Sequence, residues 1–450
     1  MSPRDPSASA TPRGFSNLWV ALLLLMAPVA VFWRPYLFFN GDDWIALWQI
    51  SNNSLGQYLI TPDTEHWYPF FKVIFYTLLR VFGTHYSFLV LINCLLVGVT
   101  AFLLFLFYRR LFSPYLALTL ALVYVLSGAH TTDIWTAHNI TLILSLGFFL
   151  GALLWADSYL TYPRRAYLLG MGLCAGLAIL ANNFIVLGLA ALPLYALFTG
   201  GVAGRKRFWS MAAVIGLVYL LFGWGYLTFA GFSAAASHNT RVFAGLPGPG
   251  YLVHLFYAAF LSPFLYLFWG HYHFPLWAYI LGVSLLILCL GVIGRWGEVQ
   301  ERRLALWAFT LNALPFILTS LIRYQRSLDQ AFVPRYAVFT LMGALILLGT
   351  TWLILYRRRP QGLVSRVLPL VLVLIMVAGQ FLSLPAWRQE YVGMSQASLR
   401  YYQTFPKTVP PGPSSPDQAG QSFMQARHPG LTLKQKWAIR RFLSGLPPDP

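Results

Sequence analysis

The chain has 450 residues, of which 58% are apolar and only 10% charged, and its mean hydropathy is +0.62. Soluble domains carry roughly 25% charged residues, so this balance excludes an ordinary soluble protein and points to an all-α polytopic integral membrane protein. The formal charge of +18 sits in short clusters between apolar runs: Arg109-Arg110, Arg164-Arg165, Arg205-Lys206-Arg207, Arg302-Arg303 and Arg357-Arg358-Arg359. That distribution marks cytoplasmic loops and excludes a phosphate-tracking stripe, so no nucleic acid partner is expected.

Taken in order, residues 1–16 form a short cytoplasmic tail with Arg4 and Arg13. The first span, about 17–39, lacks a small-residue cleavage site and reads as a retained helix. It delivers Asn40-Gly41-Asp42-Asp43-Trp44 to the outer face. The first outer loop, 40–85, is predicted to hold two interfacial helices. One is anchored by Trp44, Leu47 and Trp48. The other opens at Pro69 and carries Lys72, Tyr76 and Arg80 at spacing four, a cationic ridge suited to the headgroup plane. The remaining predicted spans are 86–108, 115–127, 140–159, two short crossings of 166–198 divided at Asn182-Asn183, 208–229, 276–293, 304–321, 336–356 and 363–384. Residues 251–269 are read as interfacial or re-entrant, because a crossing there would put Arg357-Arg358-Arg359 outside. This makes about eleven spans with the N-terminus inside and the C-terminus outside.

Residues 385–450 then form a small extracytoplasmic tail, with a Pro-rich linker at 406–416 and a basic amphipathic helix at 433–443. The basic residues of that helix favour the cytoplasm, against the parity of the spans, but long segments translocate largely regardless of charge. Cys94, Cys174 and Cys289 all lie in apolar runs and show neither a disulfide framework nor zinc spacing. His271 and His273 read as interfacial residues.

Only thirteen acids occur in the chain, and Asp42, Asp43, Asp63 and Glu65 crowd into the first outer loop. A carboxylate beside hydrocarbon is costly unless paired or hydrated, which makes the adjacent Asp42-Asp43 pair a functional-site expectation. The competing reading is a helix N-cap. A second outer loop adds His130-Thr131-Thr132-Asp133.

The order of these features resembles the membrane glycosyltransferases of the GT-C fold. The likeness is nearest to the superfamily of protein O-mannosyltransferases and lipid A aminoarabinose transferases, including its TPR-linked branch. In that family an acidic pair in the first outer loop is the catalytic motif, matched by Asp42-Asp43. An H-x-x-P element looks like His66-Trp67-Tyr68-Pro69, followed by Val81-Phe82-Gly83. The second-loop acid is matched by Asp133, and an "RY" opening a late span by Arg335-Tyr336. The likeness covers about 15–160 and is sparse beyond. Asn182-Asn183 departs from the polar pair of many relatives, and the tail lacks TPR repeats.

The resemblance implies a GT-C-like bundle at the plasma membrane. It also implies a polyprenyl-phosphate sugar as donor, and a lipid, glycan or protein acceptor attacked at the extracytoplasmic face. The residues suit that chemistry. An acceptor hydroxyl must lose its proton to a positioned base, and the transition state is oxocarbenium-like. Asp42 or Asp43 is the candidate base, its neighbour orienting the acceptor or holding a cation, and Asp133 joins them as the catalytic acid of the second loop. They are also the oxygen donors that Mg²⁺ or Mn²⁺ takes, which leaves a divalent cation open without requiring one. The leaving lipid phosphate calls for guanidinium, with Arg335 first and Arg323, Arg326 and Arg241 behind it. Tyr336 and His66 complete the expected substrate contacts. A transporter or flippase of a lipid-linked substrate is the alternative, although ionisable residues cluster at span ends and no duplicated half is evident. A glycan ligase or polymerase of similar architecture is another.

Overall fold

The computed structural model describes residues 16–34, 37–39, 43–61, 67–83, 85–230, 248–323, 331–358 and 363–404. The Pro-rich linker and the basic helix of the tail lie outside them. No β-strand occurs among the described residues; the protein is a helical bundle.

The helices in chain order are α1 (Asn17–Phe32), α2 (Asp43–Asn52), α3 (Leu55–Ile60), α4 (Pro69–Phe82), α5 (Tyr86–Leu111), α6 (Pro114–Val125), α7 (Thr131–Trp135), α8 (Ile140–Thr161), α9 (Arg165–Ala181), α10 (Ala191–Thr199) and α11 (Gly201–Gly225). They continue with α12 (Pro249–Phe268), α13 (Leu276–Trp296), α14 (Val299–Arg323), α15 (Pro334–Arg358) and α16 (Leu363–Thr404). Local chemistry sets several boundaries. Ser54 and Gln57 form a reciprocal capping box that starts α3. Pro69 occupies the first turn of α4, and Gly83, at φ 59°, ends it in a conformation that an L side chain rarely adopts.

Among the described residues seven helices are long and apolar enough to cross a membrane: Tyr86–Leu111, Ala137–Thr161, Gly201–Phe229, Pro249–Phe268, Leu276–Trp296, Pro334–Arg358 and Leu370–Gln396. They become eight if Pro114–Val125 and Gly128–Trp135, bent by 43°, count as one broken span. The shorter apolar helices are Asn17–Phe32, Arg165–Ala181 and Leu187–Thr199.

Charged clasps fasten one end of the bundle. Arg110 pairs with Asp157 at 2.7 Å, and Tyr195 donates to the other Asp157 oxygen at 2.8 Å, which ties α5, α8 and α10 together. Arg357 reaches Glu298 at 2.7 Å and Glu301 at 3.1 Å, joining α14 to α15. The acids Asp43 and Asp133 lie at the opposite end. Both ends of α12 also pack there: Tyr251 donates to the Ile317 carbonyl near the end of α14, and Tyr266 to the Phe332 carbonyl just before α15.

The first-loop helices pack into the body of the protein. Trp44 and Leu47 are buried in the protein, Trp44 against Phe38 and Phe39. Lys72 is fully buried rather than standing in the headgroup plane, because α2 and α3 fold over α4 and supply it with acceptors. Arg80, by contrast, is exposed and lies over the Tyr76 ring.

α16 runs without a break for 42 residues through Pro385 to Thr404. Gln380, Ser383, Trp387, Tyr391, Ser395 and Ser398 recur at spacings of three and four and are all buried, a polar and aromatic stripe along one face. Its partners are backbone groups. Gln380 accepts from the Gly128 N–H and donates to the Tyr266 and Leu267 carbonyls, Ser383 accepts from the Gly270 N–H, and Trp387 donates to the Gly270 carbonyl. The approach depends on glycine, since a Cβ on Gly128 would lie 2.4 Å from the Gly270 Cα.

Gly98 on α5 has the same function against α1, where a Cβ would meet the Leu25 Cα at 2.7 Å. Replacing it forces backbone apart in a close-packed interior, at a cost of about 1–3 kcal/mol. Gly98→Val is expected to lower the thermal midpoint of the detergent-solubilised protein by several degrees. A midpoint equal to wild type would refute this packing of α1 on α5.

Candidate functional site

The site is built where the segment that follows α1 meets the segment between α6 and α8. Asp43 opens α2 and is fully buried. One carboxylate oxygen accepts from the Tyr86 hydroxyl at 2.7 Å, and the other from the His138 backbone N–H at 2.7 Å. Tyr86 therefore brings the first turn of α5 to the acid, and His138 brings the second outer loop. The same hydroxyl accepts from the Ala137 N–H at 3.0 Å and lies 2.9 Å from the Trp135 carbonyl. Its single proton goes to Asp43, because a bond to a charged acceptor is worth about 1.5–3 kcal/mol. The carboxylate thus joins two loops instead of only capping its own helix.

Asn93 holds the second loop from below. It lies seven residues after Tyr86 on the same face of α5, and its amide nitrogen donates to the carbonyls of Asp133, Ile134 and Thr136 at 3.1, 3.2 and 3.3 Å. Trp135 adds a bond to the Phe32 carbonyl at the end of α1. This scaffold fixes the backbone of Asp133 while leaving its carboxylate uncommitted. Both Asp133 oxygens are buried without a hydrogen-bond partner, as are the Thr131 and Thr132 hydroxyls and the Asn93 carbonyl oxygen. Buried polar atoms are satisfied in the great majority of structures, so a cluster of orphans marks a place completed by something else. Arg335, the second residue of α15, is a cation within electrostatic reach of Asp133. Its guanidinium stands 5.3 Å from the Tyr336 ring.

The structure therefore brings Asp43, Asp133 and Arg335 to one end of the bundle. Tyr336 is turned elsewhere: it is buried, stacks on Phe184 at 4.9 Å and packs near Phe316. Asp42, His66, Arg241 and Arg326 lie outside the described residues. Asn182 caps a turn through the Phe184 N–H and bonds Thr141, a structural role. Among the described residues no group of three or more His, Cys, Asp or Glu side chains is arranged to hold a metal ion. His271 is buried rather than interfacial; it stacks on Tyr272, and both meet Glu390 of α16.

Several participants escaped the sequence reading. Tyr86 and Asn93 carry a legible signal, two polar residues at i and i+7 in an apolar span. Lys72 was visible but misplaced. It donates to Gln49 at 2.9 Å, to the Tyr58 carbonyl at 3.0 Å and to the Thr61 carbonyl, so it staples α2, α3 and α4. Tyr391 sits on α16, 5.5 Å from the Trp135 ring, within electrostatic reach of Asp133 and Arg335 and bonded to the Thr136 side chain. No protein-family model matches the chain, and no curated protein matches its sequence.

The two acids should respond oppositely to mutation. Asp43→Ala strands the His138 N–H and the Tyr86 hydroxyl, and is expected to cost about 3 kcal/mol and lower the melting temperature. Asp43→Asn should keep the fold, since Tyr86 can turn its proton to the Trp135 carbonyl and accept from the new amide. Asp133→Asn replaces a buried carboxyl group that lacks donors and should melt no lower than wild type. A fall in melting temperature for Asp133→Asn as large as that of Asp43→Ala would show that Asp133 is structurally committed.

Lys72→Met leaves three buried acceptors without their donor and should destabilise the first loop. Limited proteolysis of the purified protein should cut within 43–83 faster than in wild type. Equal cleavage rates would contradict the staple.

Proposed function

We propose that the protein is a membrane glycosyltransferase of the GT-C type. It moves a hexosyl or pentosyl unit from a polyprenyl-phosphate donor to an acceptor hydroxyl at the extracytoplasmic face of the plasma membrane. In this reading the bundle crosses the membrane about eleven times, with α12 lying along the outer face and the N-terminus inside. The reading is carried by one observation: an anchored acid, Asp43, and an uncommitted acid, Asp133, converge with Arg335 at one end of an apolar helical bundle.

Each group then has a task. Asp133, with no donor on either oxygen among the described residues, takes the proton of the acceptor hydroxyl as it attacks the anomeric carbon. Asp43, together with its neighbour Asp42, orients the second loop and the acceptor. Arg335 stabilises the negative charge that grows on the departing lipid phosphate, a service that guanidinium performs without changing protonation state. A developing oxocarbenium ion is also favoured by nearby carboxylates. The outcome is inversion, since a single displacement needs only one base.

The test is a comparison of lipid-fraction and envelope glycans from a deletion strain complemented with wild-type or variant protein. Asp133→Asn should reduce transfer by about 10²–10⁴-fold at normal membrane abundance, the usual loss for a positioned base. Asp43→Asn should lose less, and Arg335→Met should fall with Asp133→Asn. Wild-type glycans from Asp133→Asn beside a null phenotype from Asp43→Asn would move the base to the first loop. Identical glycans in the deletion and wild-type strains would overturn glycosyl transfer altogether.

A further inference from the structure

The turn that follows α12 holds a titratable group which the chemistry above does not use. Residues 270–273 are fastened to α16 by backbone and side chain together. The Gly270 N–H donates to Ser383 at 3.1 Å, and the Trp387 indole donates to the Gly270 carbonyl at 2.7 Å. His271, buried beside them, has both ring nitrogens committed. Its Nδ1 accepts from the His273 backbone N–H at 3.2 Å. Its Nε2 lies 3.3 Å from a Glu390 oxygen that also accepts from the Tyr272 hydroxyl at 3.2 Å. A backbone N–H only donates, so Nδ1 is the acceptor and the ring proton sits on Nε2, toward Glu390. The neutral ring satisfies both partners.

A second proton sets those partners against each other. The Glu390 carboxylate favours it, because a hydrogen bond becomes an ion pair. The proton itself lands on Nδ1, where it meets the His273 N–H, and two donors face each other without an acceptor. Among the described residues, the other titratable or charged groups about the turn come from three directions. The His273 ring is 5.3 Å away, Arg388 and Tyr391 flank Glu390 on α16, and Tyr266 of α12 lies behind Tyr272. On the side of Gly128, which touches Gly270, His130 is turned to the Tyr124 carbonyl.

We infer that His271 is a pH-sensitive latch between the turn after α12 and the C-terminal half of α16, closed while its ring is neutral and opened by acid as the His273 N–H is released. Imidazole changes charge between pH 5 and 8, so the latch answers to mild acid at this end of the bundle. A run of ring contacts leads from it to the acid site. The Trp387 ring lies 4.4 Å from His271 and 5.6 Å from Tyr391, and Tyr391 lies 5.5 Å from Trp135, two residues after Asp133. An imidazolium that turns away from the His273 N–H withdraws support from Trp387, and the packing on Trp135 loosens with it. The inference holds whatever substrate the site takes.

Hydrogen–deuterium exchange of the purified full-length protein in detergent tests the latch, with protection corrected for the intrinsic pH dependence of exchange. Between about pH 7.5 and about pH 5.5, protection of residues 270–275 should fall about fivefold, the worth of one neutral hydrogen bond. Peptides spanning 133–138 should lose protection over the same range. His271→Gln keeps an acceptor and a donor on a neutral side chain and should stay protected at both pH values. His273→Gln keeps the backbone N–H and should retain the wild-type fall. Equal protection of wild type at both pH values would overturn the latch, as would a fall that persists in His271→Gln or vanishes in His273→Gln. A fall confined to 270–275 would overturn its link to the acid site.

Discussion

A carboxylate enclosed by protein beside hydrocarbon keeps its charge only if the chain supplies the donors that water would have given. Asp43 meets that requirement with two groups from different parts of the sequence, the Tyr86 hydroxyl and the His138 N–H. The segments before α2 and after α7 are therefore closed on one another by a charge-assisted link, and α5 is drawn in by its first residue. Much of the surrounding polar network has the same logic. Asn93, Trp135 and Lys72 each bond backbone carbonyls of loop or helix-end segments, satisfying groups that an irregular chain leaves open.

Against that closed background Asp133 is an exception. Its backbone is held as firmly as its neighbours', but its side chain is not satisfied. Proteins tolerate such costs where activity requires them, and they offset them with surrounding order. The contrast between the two acids divides labour between a group that builds the site and a group left open for chemistry.

The helical class and the short basic clusters were readable from composition and spacing, because hydrocarbon imposes long apolar runs and interrupts them with charge. The polar break between two apolar runs that holds Asp133 was legible for the same reason. Burial of individual side chains was not. Lys72, Tyr76 and Arg80 form one stripe in sequence, yet Lys72 faces α3 while Arg80 faces outward, because α2 and α3 cover only the N-terminal half of α4. Proximity across long separations was equally hidden: nothing in the spacing places Tyr391 of α16 beside Trp135. The boundary expected at residue 385 disappears into a continuous helix, since Pro385 sits on an exposed face where the stripe of buried partners passes it by.

That continuous helix has a mechanical consequence. At about 1.5 Å per residue, 42 residues make a rod about 63 Å long, twice the thickness of a hydrocarbon core. Its apolar half, exposed at Leu370, Leu374 and Leu382, sits in the part that bilayer lipids would contact, and its other half touches Trp135 and the Phe38 carbonyl through Tyr391 and Ser395. A helix whose apolar length does not match its membrane tilts to fit. The rod is keyed to Gly128 and Gly270 near its middle. One unbroken helix thus joins the apolar half to the loop that carries Asp133.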